Sequence, residues 1–571
     1  MANNFHGRNN YNNQNRNNNY QQNRGNQQKP FNANFYNPYA FVPLNDRVYL
    51  LSEEEKALLE NVHDVPFENG YSGRIDLKLK AETPFCVKIE VNEGKVPFYI
   101  VPGSSTKGMI RSVFEIITMS NFRNGVADNR YSFRDLNNSN YVLKSGKEQK
   151  SGILIKLDNK YYIQPCECEK KSYSEIAEEE GLRQEAISRG TVADKYRNLE
   201  SPVLLYDDGS AEIYLFSGSM NNKKHEFLFE IPEFDNLIPL EGDNLKDFLF
   251  IHEKENENVS WKFWKKRLKN YGSIQEIVKD QYEGVAPCFF RTYKKQDGTK
   301  SVLDLGFSYL YRQAYDKSIH DFIPNCYAEG KIDLAQSVFG YTKTNKEDKE
   351  KNEALKGRVQ FGNVIIENPK FASEQCFILG SPKPTFYPFY LQQEEGTKND
   401  YYSNTKLAGY KRYLVHNNQQ DGKEQKSKVT TTFKPVAAGT EFVVPIYFHN
   451  LRDFELGALL AAITFCNKEG KCCHSLGFAK PFGYGKMKVV NVSLTTDTEA
   501  DKQQLHQAYV DKICQMCGFL NESSMLSSIN KLFVLATPVS DKEIRYPSMQ
   551  GKEFNSIKKS KMSINQLSPK K

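Results

Sequence analysis

Two short segments carry side chains that could hold a phosphate or a sugar. The first is Val101-Pro-Gly-Ser-Ser-Thr-Lys-Gly-Met-Ile-Arg111. Pro102 and Gly103 turn the chain at the end of a strand pattern, Ser104 or Ser105 can cap the helix that follows, and Lys107 and Arg111 flank its first turn. Unpaired N–H groups at a helix start, with two cations beside them, make a cradle for an anion. The same residues also describe a capped helix with no ligand. A nucleotide P-loop is excluded, because Met109 and Ile110 follow Gly108 where Lys and Ser/Thr are required.

The second segment is Gly477-Phe-Ala-Lys-Pro-Phe-Gly-Tyr-Gly-Lys486, with His474 just before it. Its glycines allow another backbone to approach closely, and its rings could stack on bases beside Lys480 and Lys486. Alone, it reads as a structural turn before it reads as a binding loop. Cys466, Cys472, Cys473 and His474 lie close together, and Cys514-Gln-Met-Cys517 follows. Thiolate and imidazole are zinc ligands. The spacing is irregular, however, and no C-x-x-C pairs with another, so neither a metal nor a cofactor is expected.

The elements that would position these segments form a mixed pattern. Ile75, Leu77, Leu79 and Ala81 alternate with polar residues as in a strand. Residues 98–101 read as a second strand. Met109, Ile110, Val113, Phe114 and Ile117 fall at helical spacing. Further on, 441–448 reads as a strand, 455–465 as a buried helix, 486–490 as a strand and 496–535 as helical. Strand and helix recur without regular alternation, which predicts an α+β sheet with helices on one face rather than a doubly wound sheet.

The chain has 571 residues, 33 Tyr, 37 Phe and a net charge of +7. That is ample material for a core and excludes wholesale disorder. The longest apolar run, 456–465, is too short to span a bilayer. Eleven Cys without an apolar leader fit reduced thiols in the cytoplasm. Residues 1–40 carry +4 and residues 541–571 carry +5, leaving −2 for the 500 residues between. Any basic groove in the body is therefore local. The Asn/Gln-rich start and the Lys/Ser-rich end are both expected to be disordered.

Taken in order, PGSSTKGMIRS, Ser337-Val-Phe-Gly340, Gly357-Arg-Val-Gln-Phe361, Ala438-Gly-Thr-Glu-Phe442 and GFAKPFGYGK resemble the CRISPR RAMP superfamily. Phe448-His-Asn-Leu451 and Glu455-Leu-Gly-Ala458 fit the same pattern. Ile378-Leu-Gly-Ser-Pro-Lys-Pro384 and Gly409-Tyr-Lys-Arg-Tyr413 are most similar to the long RAMP variants of type III loci. The resemblance implies a modified RRM-like (ferredoxin-like) fold and a backbone-type subunit of a type III effector that binds crRNA. Further implied partners are target RNA and other CRISPR effector subunits, with no membrane. The implied RNA contacts are Ser104, Ser105, Lys107, Arg111, Lys480 and Lys486. The implied layout is a disordered tail over 1–45, a first core part over 46–127 and a large insertion over 128–325. A second core part over 326–495, a helical extension over 496–540 and a basic tail over 541–571 complete it.

Catalysis is where the sequence departs from that family. Its RNA-cleaving members carry an aspartate between the first strand and the PGSS helix, and residues 82–97 contain none. Glu90 and Glu93 in that interval, Asp333 and His474 are the remaining candidates. The reading is a non-catalytic RNA scaffold. Its rivals are a RAMP-type endoribonuclease that cleaves target RNA or processes crRNA, and an RNA-free adaptor.

Overall fold

The computed structural model describes residues 33–87, 98–135, 141, 149–218, 223–254, 259–343, 353–394, 396–422, 429–539 and 542–570. The central strand, β1 (Tyr71–Ala81), buries Ile75, Leu77, Leu79 and Ala81 on one face. Arg74, Asp76, Lys78 and Lys80 stand on the other, which is the alternation a half-buried strand requires. Strand 98–101 leads into α1 (Gly103–Ile117), which turns Met109, Ile110, Val113, Phe114 and Ile117 inward. Along the chain follow α2 (Leu334–Phe339), β2 (Val359–Phe361), β3 (Tyr410–Tyr413) and β4 (Glu441–Leu451). The last core elements are α3 (Asp453–Thr464), β5 (Lys486–Thr496) and α4 (Lys502–Cys517).

The sheet runs β2-β4-β1-β5, with His474–Ser475 at the outer edge beside β5, and every neighbouring pair is antiparallel. The chain passes from β1 through α1 to β2, and from β4 through α3 to β5. Each crossover skips one strand, so two β-α-β units interleave. α1 and α3 pack together in one core on the same face of the sheet, and α4 packs on α3. Ten of the twelve residues of α3 are buried, because it lies between the sheet and α4. The opposite face stays in solvent and carries Arg74, Lys78, Glu441 and Tyr447. This is a mixed α+β architecture with the core helices on one side.

A second unit rises between α1 and α2. Strands Arg130–Phe133 and Gln313–Ser318 pair as its neck. Beyond them lie a six-stranded and a four-stranded sheet around a separate core that includes Ile153, Leu154, Trp261, Trp264, Phe289 and Phe290. Its Glu226 carboxylate is buried against Lys195 at 2.8 Å, with Lys223 as a second partner.

Both expected tails need correction. Residues 1–32 lie outside the described residues, but 33–45 belong to the body. Phe35, Tyr39, Ala40, Phe41 and Val42 are buried in the central core, and Tyr39–Val42 pairs with β3. The basic C-terminal segment is also built in. Glu543–Ile544 pairs with Phe35–Tyr36, a helix spans Glu553–Lys559, and Ile544, Ile557, Ile564 and Leu567 enter the same core. Its charges are partnered as well, Arg545 by Glu553 at 2.7 Å and Lys558 by Asp135 at 2.9 Å. Four aliphatic side chains spaced among lysines outweigh the composition there. Among the described residues no helix is long and apolar enough to cross a membrane.

Candidate nucleic-acid interface

The two segments singled out in the sequence meet. Ser105, Gly108 and Ser112 of α1 line an open cleft of about 390 Å³ together with Lys411 and Arg412 of β3 and Gly477 and Lys480 of the Gly-rich turn. Hydrogen bonds to residues 83–86 hold that turn in place. The Phe478 N–H donates to the Cys86 carbonyl at 2.7 Å, the Gly485 N–H to the Pro84 carbonyl at 2.9 Å, and the Lys486 N–H to Thr83 Oγ1 at 3.0 Å. Gly477 has φ +87°, and a Cβ there would lie 2.2 Å from the Cys86 carbonyl oxygen. Only glycine fits both the left-handed backbone and that approach.

α1 begins differently from the expected serine cap. Pro102 is the N-cap, without a side-chain hydrogen bond, and the helix starts at Gly103. The Gly103 N–H is taken at 2.9 Å by Asn363 Oδ1, which lies far away in sequence. Ser104 is exposed and Ser105 is half-buried, inside the first turn. Gly108 sits mid-helix with open space where its Cβ would be.

The cleft is electrostatically one-sided. Arg412 Nη1 donates to Ser112 Oγ at 3.1 Å, and burial lowers the guanidinium to about 10. Lys480 is also lowered, first by burial and then by the Arg412 cation, and its ammonium donates to the Gly477 carbonyl at 2.6 Å. Burial lowers Lys411 too; its Nζ stands 4.0 Å from the Tyr39 ring centroid and donates to Tyr390 Oη at 3.2 Å. No carboxylate is among the described residues that line this space. Three partly desolvated cations without a counter-charge form a ready anion site.

The remaining sequence candidates fall elsewhere. Lys107 donates to the Phe339 carbonyl at 3.0 Å and Arg111 to Glu115 at 2.8 Å, both beside the Phe339 ring. These two cations therefore tie α1 to the end of α2 and do not line the cleft. Lys486 donates to Asn417 Oδ1 at 2.7 Å, with Glu82 at 3.7 Å. Asp333 caps α2. Its Oδ1 accepts from the Gln336 N–H at 2.8 Å and its Oδ2 from the Asn121 N–H at 2.9 Å, while burial raises its carboxyl to about 6. His474 is wholly buried against the Ile463 carbonyl at 2.9 Å, and burial lowers it to about 4. Glu90 and Glu93 lie outside the described residues. Among the described residues no three His, Cys, Asp or Glu side chains gather as a metal site. Burial raises the thiols of Cys466 and Cys517 to about 12.

Lys411 and Arg412 were not among the contacts inferred from sequence. The signal was two adjacent cations inside a tyrosine-flanked strand, in a motif noted only for its resemblance.

No family model matches the chain, and no curated protein matches it. Among solved structures, Csc2 of Thermofilum pendens aligns over 86% of this chain and 90% of its own, at 9% identity and a TM-score of 0.21. A likeness that slight carries no weight for the function of this chain.

Proposed function

We propose that this chain is a RAMP-type RNA-binding subunit that holds crRNA in a type III-like CRISPR ribonucleoprotein. The observation that carries the reading is the cleft where α1, β3 and the Gly-rich turn converge on Lys411, Arg412 and Lys480, with no carboxylate among its described lining residues. Phosphates passing through it would supply the counter-charge those cations lack. Gly108 leaves room for a sugar-phosphate backbone against the helix. The strand order β2-β4-β1-β5, with two interleaved β-α-β units, is that of the ferredoxin-like fold, which supports a modified RRM core. On this reading the unit between 128 and 325 is an insertion into that core, and other effector subunits are partners.

The role proposed is a scaffold. Asp333 spends both carboxylate oxygens on backbone N–H groups, and His474 is wholly buried with its Nε2 on the Ile463 carbonyl, a poor arrangement for proton transfer to a ligand. The test is purification from the native host followed by analysis of bound nucleic acid, with Lys480→Glu and Arg412→Glu compared for single-stranded RNA affinity. A short RNA of defined length that is lost in both variants is expected. Nucleic-acid-free protein, or unchanged affinity in both variants, would overturn the proposal. Incubation with target RNA paired to crRNA tests the scaffold role separately, since cleavage lost on His474→Ala would make the chain a nuclease.

A further inference from the structure

Ser112, Lys411 and Arg412 border a second cavity besides the cleft. It also measures about 390 Å³ and lies between α1, the turn Phe122–Gly125 and the segment leading into β3. Its walls are aromatic. Phe122 stands edge-on to Tyr410 with centroids 4.7 Å apart, and Phe41 packs against Tyr390 at 5.3 Å. Among the described residues that line it, Glu115 supplies the one carboxylate. Glu115 Oε1 accepts from Arg111, and Oε2 has no hydrogen-bond partner among the described residues.

We propose that this cavity is a nucleobase pocket, which takes the base of a nucleotide whose phosphate lies in the adjoining cleft. The inference rests on the cleft being the RNA path. The shared rim of Ser112, Lys411 and Arg412 makes the two spaces neighbours, as one nucleotide requires. Electrostatics sorts the two halves. Among the described residues the cleft has Lys411, Arg412 and Lys480 with no carboxylate and attracts the phosphate, whereas the cavity shares Lys411 and Arg412 but adds the Glu115 carboxylate, which accepts an N–H from a base edge. Rings on several sides give a surface for stacking whatever the base. The carboxylate adds selectivity, because cytosine, adenine and guanine present an exocyclic amino group, whereas uracil offers only its ring N3–H between two carbonyl oxygens that a carboxylate repels.

The test uses the full chain with fluorescently labelled RNA octamers rC8, rA8 and rU8, and an abasic ribose-phosphate octamer with the same number of phosphates. Stacking of one base is expected to make rC8 bind about tenfold or more tighter than the abasic octamer. Phe122→Ala should shrink that ratio severalfold, and Glu115→Gln should narrow the gap between rC8 and rU8. Ultraviolet cross-linking of rC8 to the unsubstituted protein needs no variant to fold, and should label peptides spanning 119–131 or 390–412. Equal binding of rC8 and the abasic octamer, with both weakened by Lys480→Glu, would sink the pocket and leave the cleft standing. Indifference of every octamer to Lys480→Glu would remove the cleft and the pocket together. Cross-links confined to other peptides would also overturn the pocket.

Discussion

Arg358 grips Glu455 with two nitrogens on two oxygens. Nη1 meets Oε2 at 2.8 Å and Nη2 meets Oε1 at 2.6 Å, with both side chains shut off from solvent. The same guanidinium donates to the carbonyls of Ser337 and Asn450, and Arg452 adds a second cation to the carboxylate at 3.0 Å. One ion pair thereby joins the ends of α2, β2, β4 and α3.

Breaking that pair strands a buried charge. Glu455→Ala is expected to cost about 3–5 kcal/mol, and Arg358→Met with Glu455→Leu together to cost less than Glu455→Ala alone. Urea unfolding of the three proteins checks this. A double variant as unstable as Glu455→Ala, or more so, would overturn this.

Acid should weaken the fold in two stages. Burial lowers His474 and His252 to about 4, so between 6.5 and 4 the unfolded chain binds protons that the folded chain refuses. Stability then falls as pH drops through that window, by on the order of 3 kcal/mol for each histidine. Burial alone would raise Glu455, but Arg358 and Arg452 outweigh it and hold the carboxyl at about 2. Its contribution is complete above 4.5 and fades as pH falls towards 2. Urea midpoints at pH 7.5, 5.5 and 4 should decline in order, and His474→Gln should flatten the first step. A midpoint unchanged from pH 7.5 to 4 contradicts the histidine account.

RNA affinity should fall steeply with salt. Lys480→Gln and Arg412→Gln should each weaken binding and reduce the slope of log affinity against log salt by about 1. Titrations between 50 and 300 mM salt (concentrations on the order used for such slopes) measure it directly. A weaker affinity with an unaltered slope would mean that neither cation meets a phosphate.

Two glycines should behave in opposite ways. Gly477→Ala forces a Cβ against the Cys86 carbonyl at a left-handed φ and should destabilise by more than about 1 kcal/mol. Gly108→Ala meets no protein atom and should stabilise α1 by about 0.5–1 kcal/mol. If the RNA backbone lies on Gly108, that more stable protein binds RNA less well. Melting temperatures and RNA titrations on the same samples separate the two effects, and undiminished binding would place the backbone elsewhere.

The core was readable wherever a period was strong. The alternation at Ile75–Ala81 and the helical spacing at Met109–Ile117 each forecast an element and its buried face. Composition misled at both ends, because Phe35–Val42 and Ile544–Leu567 place few but well-spaced apolar residues among many polar ones. The cleft was half legible. Ser105 and Lys480 reach it, while Lys107 and Arg111, read as free cations, are turned onto α2. Nothing local reveals that Phe339 and Gly340, over two hundred residues away, offer carbonyls there. For the same reason Arg412 was overlooked, since its role depends on a neighbour, Ser112, supplied by another part of the chain.

β1 ends at Ala81, yet both strands that flank it begin only at Glu441 and Lys486. During synthesis at roughly 5–20 residues per second, this first strand of the sheet waits on the order of tens of seconds for its partners. The unit between α1 and α2 draws its two sheets from nearby sequence and can close in the meantime. Ile75, Leu77 and Leu79 cannot, and remain a greasy, unpaired edge on a ribosome-bound chain. Assembly should therefore run from the protrusion inwards, with nascent chains stopped before Glu441 holding a folded appendage on an unfinished body, in need of a chaperone.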